Sequence, residues 1–280
     1  MMTIPTTLKK TLALTATLAV VGLLLAADAS AADGKKKKKK KSSTTETTTE
    51  EATTQTEPPK EVKQAQAHLA AFRTESAREA LEPLANSNDA VVLTTRGRVD
   101  AQAKNYDSAV AALKQAADID AASPAPSLYL GDAFAYSAKT TSANDAWKQA
   151  EARAKAMTAA NPDSVEGLYF LGAAQQRQKK FADAAATFER ARSLAPKDPE
   201  IAFESGVTFF YLEKWQQAFD SLSAAIDKSP DFAYAYYYRG MAAGKLDRKD
   251  LLFNDLDRFV KMAPEAAEAA SAKQILSAFK

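Results

Sequence analysis

From about residue 60 onward, apolar residues recur three and four places apart, with charged and amide residues filling the gaps. Phe203, Gly206 and Phe210 keep that spacing, and so do Ala218, Leu222, Ala225 and Ile226. Side chains at these intervals share one face of a helix, whereas a strand would alternate every second residue. The pattern therefore predicts helices in succession and no sheet. Five glycines, Gly97, Gly131, Gly172, Gly206 and Gly240, fall at one slot of that pattern, separated by 34, 41, 34 and 34 residues. A period near 34 describes one helical hairpin, too small to bury its own apolar face, so neighbours must stack into a solenoid.

Aligned on the glycines, the units run 90–123, 124–164, 165–198, 199–232 and 233–266. Counted within each unit, position 20 is Ala109, Ala184 and Ala218, and position 24 is Leu113, Phe188, Leu222 and Leu256. Position 27 is Ala116, Ala191 and Ala225, and position 32 is Pro196, Pro230 and Pro264. The longer second unit is brought into register from its own Pro162 by reading 138–144 as an insertion between its two helices, which puts Trp147 and Ala150 at positions 17 and 20. The fifth unit departs from the pattern with Lys249, Leu252 and Phe259 at positions 17, 20 and 27. Proline between units ends one helix and suits the start of the next. Asp163, Asp198 and Asp231 sit where helix caps are expected.

Glycine, aromatic 17, alanine 20, large apolar 24, alanine 27 and proline recurring together resemble the tetratricopeptide repeat over 90–266. The best copies are LYFLGAAQQRQKKFADAAATFERARSLAP (168–196) and AFESGVTFFYLEKWQQAFDSLSAAIDKSP (202–230). The resemblance implies an all-α chain, a right-handed α-solenoid of about five helical hairpins with helical caps. Such caps are needed because an end unit otherwise exposes its stacking face. Residues 60–89 provide one, as a cap or degenerate repeat with helices over 60–72 and 75–85 and Leu69, Phe72, Leu81 and Leu84 facing inward. The other is the alanine-rich segment 267–280, with Ile275, Leu276 and Phe279 on one side.

The first 59 residues follow a different pattern. Lys9 and Lys10 precede the uncharged stretch 11–27, and Ala29-Ser30-Ala31 follows it, the layout of a signal peptide over 1–31. This predicts an exported chain, periplasmic or extracellular. The alternative is an uncleaved anchor formed by 11–27, short beside the ~20 residues of a spanning helix. Lys35–Lys41 is an unbroken run of seven lysines, which on the anchor reading favours the cytoplasmic side. Residues 32–59 add Ser, Thr and Glu without a large apolar residue, which predicts a disordered tether.

Charge divides the same way. The chain carries a formal +2, but residues 60–280 hold 28 Lys and Arg against 29 Asp and Glu, and 1–59 hold 9 against 6. A repeat region near neutrality predicts no specific nucleic-acid binding, since that needs a basic stripe on the folded surface. The lysine run is a candidate contact for an anionic membrane or polymer.

Chemistry in the active-site sense is sparse. His68 is the single histidine, there is no cysteine, and outside the repeat slot only Gly22, Gly34, Gly167 and Gly244 remain. Neither a histidine-based catalytic pair nor a phosphate-cradling loop can be assembled from these. No enzyme activity, metal, cofactor or small-molecule ligand is expected.

The resemblance implies instead that the first helices line a concave groove for a peptide. Carried over by position, the candidate partner-binding residues are Tyr136, Tyr169, Arg177, Phe203, Tyr211, Tyr234 and Tyr237, with Thr94, Arg98, Leu128, Asp132, Gln176 and Val207 beside them. Tyrosine offers broad contact area with one polar handle. Position 5 runs Thr94, Leu128, Tyr169, Phe203, Tyr237 and position 9 lacks asparagine, so the family's carboxylate clamp is not expected. The expected function is a non-enzymatic scaffold or adaptor of the cell envelope that binds a protein or peptide segment. The alternative makes the lysine tail a surface-docking element, with the solenoid as spacer or oligomerisation unit.

Overall fold

One turn geometry repeats along the whole described chain. Phe72, Lys104, Ala138, Lys179, Glu213 and Asp247 all have φ between 57° and 66°. After each, the next backbone N–H reaches the carbonyl five residues back, as Arg73 does to His68 and Lys139 to Phe134, both at 2.8 Å. This left-handed closure satisfies the carbonyls at the end of a helix and turns the chain back on itself. The computed structural model describes residues 57–278. The leader, the lysine run, most of the tether and Phe279 lie outside the described residues.

The six turns define six helical pairs. An N-terminal pair comprises α1 (Lys60–Ala70) and α2 (Thr74–Leu81), with a 3-10 turn at Glu82–Leu84. Five further pairs follow: α3 (Ala90–Gln102) with α4 (Tyr106–Ile119), α5 (Ala125–Tyr136) with α6 (Thr140–Ala160), and α7 (Val165–Arg177) with α8 (Phe181–Leu194). The last two are α9 (Pro199–Tyr211) with α10 (Trp215–Lys228), and α11 (Ala233–Lys245) with α12 (Lys249–Met262). Helix α13 (Ala269–Ser277) closes the C-terminal end, resting Ala269 and Ala272 on the core with Ile275 and Leu276 beside them. The chain is an α-solenoid, all-helical over the described residues. Among them no helix is long and apolar enough to cross a membrane.

The glycine slot sets the distance between the two helices of a pair. A Cβ on Gly172 would stand 2.8 Å from Phe188, and one on Gly131 would stand 2.3 Å from Trp147. Phe188 is the position-24 side chain of its unit, so Trp147 holds position 24 in the second unit rather than 17. Ala138 in the turn and the buried Ala143 and Ala150 agree with that register. The seven extra residues therefore do not lie between the helices at 138–144. They lengthen α6 to 21 residues at its far end, beyond Ala150.

Caps follow local chemistry. Asp198 accepts from Glu200 N and Ile201 N at the start of α9. Asp89 does the same for α3. Asp163 gives way to Ser164, whose hydroxyl accepts from Gly167 N at 3.0 Å. Asp231 makes no cap, and its carboxylate instead meets Arg73 at 3.3 Å. That contact joins the N-terminal turn to the last repeat, and Phe72 packs edge-on against Tyr234 with ring centroids 6.0 Å apart. The two ends of the described solenoid thus meet across its inner side.

Candidate functional site

The first helix of each pair lies inside the superhelix, and neighbouring first helices touch one another. Their burial is correspondingly deep: every residue of α9 from Glu200 to Phe209 is buried. Of the seven candidate groove residues, four are enclosed: Tyr169 is 3% exposed, Arg177 4%, Phe203 0% and Tyr237 4%. Tyr136, Tyr211 and Tyr234 are half-buried and reach the surface. An open trough floored by all seven is therefore not what the first helices form, because packing within and between helical pairs sets their aromatic rings against one another. Phe203 lies 4.3 Å from the Phe232 ring, and Tyr237 5.0 Å from that of Phe259.

Arg177 is the hub of a buried polar network across three repeats. Its Nε donates to Asp132 Oδ1 at 3.3 Å, and its Nη1 to Gln176 Oε1 at 2.7 Å and Glu204 Oε2 at 3.3 Å. Trp147 Nε1 also donates to Asp132 Oδ1, at 3.0 Å. Burial works against the guanidinium charge, but Glu204 and Asp132 outweigh it and hold Arg177 firmly protonated. Burial also pushes both carboxyls up against the pull of Arg177. Residues offered by sequence position as peptide contacts here tie repeat to repeat.

Two cavities among the described residues border the first helices. One, of about 90 Å³, is bordered by Arg98, Tyr129, Gln66, Thr94 and Phe170. Arg98 stacks on Tyr129, 4.4 Å from the ring centroid. The other, of about 150 Å³, lies where the ends meet and is bordered by Phe72, Tyr106, Tyr136, Tyr234, Lys104 and Glu268. The Tyr106 and Tyr136 rings run nearly parallel, 9° apart, with centroids 6.1 Å apart. Tyr211 stands further along, stacked on Phe181 at 4.9 Å, and burial pushes its hydroxyl up to about 12. Burial drives the Tyr234 hydroxyl higher still, reinforced by the charge of Glu268.

Glu268 is illegible in the sequence, one glutamate in an alanine-rich tail. Tyr106 and Phe72 stand there only as a repeat position and a cap residue. Tyr106 meets Tyr136 as a neighbour in successive units, and the meeting of the described solenoid's ends brings Phe72 and Glu268 to Tyr234.

Comparison with known proteins accords with the repeat fold. The family model described as tetratricopeptide repeat matches residues 128–199. A stretch of 67 residues is 40% identical to the cytochrome c-type biogenesis protein CycH of Pseudomonas aeruginosa, covering 24% of this chain and 14% of that protein. The chain thus spans about one seventh of the length of that relative. A thermophilic TPR protein from Thermus thermophilus is similar in structure, with a TM-score of 0.50 and 16% identity over 65% of this chain and 97% of that one. YrrB, a TPR protein with an unusual peptide-binding site, aligns over 70% of this chain and 97% of its own with 19% identity and a TM-score of 0.39.

Proposed function

We propose that this chain, a tetratricopeptide repeat protein, is a non-enzymatic scaffold of the cell envelope that holds a partner protein at the inner rim of its solenoid. The observation that carries this reading is the set of half-buried tyrosines, Tyr136, Tyr211 and Tyr234, on first helices in which Tyr169, Phe203 and Tyr237 are enclosed. Tyrosines held by packing lose little freedom on binding, so they suit a contact surface. An extended segment or the apolar face of a helix is the natural guest for such a rim. The enclosed Tyr169, Arg177, Phe203 and Tyr237 act from behind it, fixing the backbone that presents the rim. Export is supported by the 1–31 leader pattern, and the stretch shared with a cytochrome c-type biogenesis protein favours a role in assembly.

The test is a crosslinking pull-down from the native host with wild type and a Tyr136→Ala, Tyr211→Ala, Tyr234→Ala variant of matched helicity. The expected result is one partner captured by wild type and lost by the variant. Equal capture by both, or no captured protein, contradicts the rim reading.

A further inference from the structure

We propose that the cavity between the two solenoid ends is a receptor for a lysine side chain, with Glu268 receiving the ammonium group inside an aromatic enclosure. The proposal rests on the scaffold reading for its biological setting and names the chemistry by which a partner is held.

Glu268 is the unusual residue of this region. It is 2% exposed, and its Oε2 accepts from the Tyr234 hydroxyl at 2.8 Å. Its Oε1 is buried without a hydrogen-bond partner, although the side chain borders the cavity. It caps no backbone N–H of α13. Among the described residues Glu268 has no salt-bridge partner, and Lys104 at the cavity rim is exposed. A buried carboxylate without a cation is held at a disadvantage, so an incoming cation gains from relieving it. Burial pushes the Glu268 carboxyl up, opposed by the Tyr234 hydrogen bond and by the residue's own backbone N–H. The same carboxylate bears electrostatically on Tyr136, Tyr211, Tyr237 and Tyr238, which places it at the focus of a tyrosine cluster.

Phe72, Tyr106, Tyr136 and Tyr234 line the cavity with aromatic rings, whose faces attract a cation that has left water. The donor count then selects among cations. With Oε2 engaged by Tyr234, one carboxylate oxygen is free, so the bidentate fork of arginine has no matching acceptor pair. A quaternary ammonium has no N–H to give to Oε1. A lysine ammonium gives one N–H to Oε1 and turns its remaining charge toward the rings, while its slender stem crosses the apolar part of the cavity. The lysine comes either from a partner or from the chain's own Lys35–Lys41 run, which the 15 residues 42–56 separate from the described part.

The test uses the full chain and the pentapeptide acetyl-Ala-Ala-Lys-Ala-Ala-amide, with counterparts carrying ε-acetyl-lysine, arginine or norleucine, titrated by calorimetry. The lysine peptide is expected to bind at least tenfold more tightly than each counterpart, and Glu268→Gln is expected to abolish that preference. Tyr106→Leu, which takes no part in the Tyr234–Glu268 hydrogen bond, should weaken it severalfold, and serves if Glu268→Gln lowers the helical signal. Lys104→Ala should leave the preference intact or strengthen it. Deleting 35–41 raises affinity for the added peptide if the chain's own lysines occupy the cavity, and leaves it unchanged if a partner supplies the lysine. Equal binding of lysine and ε-acetyl-lysine, a preference that survives both Glu268→Gln and Tyr106→Leu, or no binding at millimolar peptide overturns the proposal. If lysine selectivity fails while the tyrosine variant still loses its partner, the scaffold reading stands with different chemistry. Lysine selectivity without partner capture leaves the cavity and removes the scaffold.

Discussion

The first and second helices of each pair obey different rules. Second helices are amphipathic: α4 buries Ala109, Leu113 and Ala116, and α8 buries Ala184, Ala185, Phe188 and Ala191, leaving the remainder toward solvent. First helices are enclosed on nearly every side, as α9 is from Glu200 to Phe209. The second helices read out local repeat chemistry, in which alanines permit close approach and one large residue fills the glycine slot. The first helices are wedged between their own second helix and the repeats on either side, and that packing decides which of their side chains see water.

The sharpest way to break this contrast is to cut the network that only enclosed helices can hold. Arg177→Met leaves Asp132 and Glu204 buried without their cation, and should destabilise the central repeats by about 3–5 kcal/mol. Urea unfolding followed by tryptophan fluorescence measures it, since the Trp147 indole, one of two in the chain, donates to Asp132. A loss near zero would mean that these groups are wet and the inner side open.

Within the pairs, the glycine slot gives a graded comparison. Gly131→Ala drives a Cβ to 2.3 Å from Trp147, whereas at Gly240 the nearest atom is Asp255 Cβ at 3.0 Å and Leu256 stands at 3.5 Å. Gly131→Ala should cost about 1–3 kcal/mol by overpacking. Gly240→Ala should come out near neutral, because roughly 1 kcal/mol of helix propensity offsets a milder contact. Thermal unfolding of the two variants checks the order. The looser fifth pair follows from Leu252, where the other pairs carry alanine.

Acid should weaken a junction of α6 with its neighbours. Glu151 is buried, which disfavours its charge, but hydrogen bonds from Lys155, Lys180 and Gln178 outweigh that and lower its carboxyl to about 2. A folded-state value below the unfolded one adds stability that is present above pH 4.5 and is lost as pH falls toward 2. The stability gap between wild type and Glu151→Gln should therefore shrink across that window. A constant gap would remove the carboxylate's part in it.

The smallest effect lies in the turns. Ala138 holds φ at 59°, a conformation that glycine adopts without strain. Ala138→Gly should stabilise the chain by roughly 0.5–1 kcal/mol in urea unfolding.

These same features mark how far the sequence could be read. Repeat number, helix succession and the role of positions 20, 24 and 27 were legible because each is set within about 34 residues. The register of the second unit was not. Trp147 suits either an aromatic 17 or a large 24, and alanines at 143, 150 and 154 serve a frame displaced by two turns; only the contact with Gly131 decides. The groove was legible as a set of positions but not as a surface. Its exposure depends on side-chain packing within and between repeats, as of Phe203 on Phe232, and at Tyr234 on Phe72, about 160 residues away, contacts that no local periodicity encodes.

The chain has no cysteine, so one introduced thiol reports one position cleanly. Single variants Tyr136→Cys and Tyr234→Cys at the rim, and Tyr169→Cys and Tyr237→Cys inside, can be compared by their native labelling rates with a maleimide. Rim thiols should react at least roughly 100-fold faster than the interior pair, whose labelling requires local opening. Interior thiols reacting as fast as those at the rim would contradict the enclosed first helices and restore an open groove along the full solenoid.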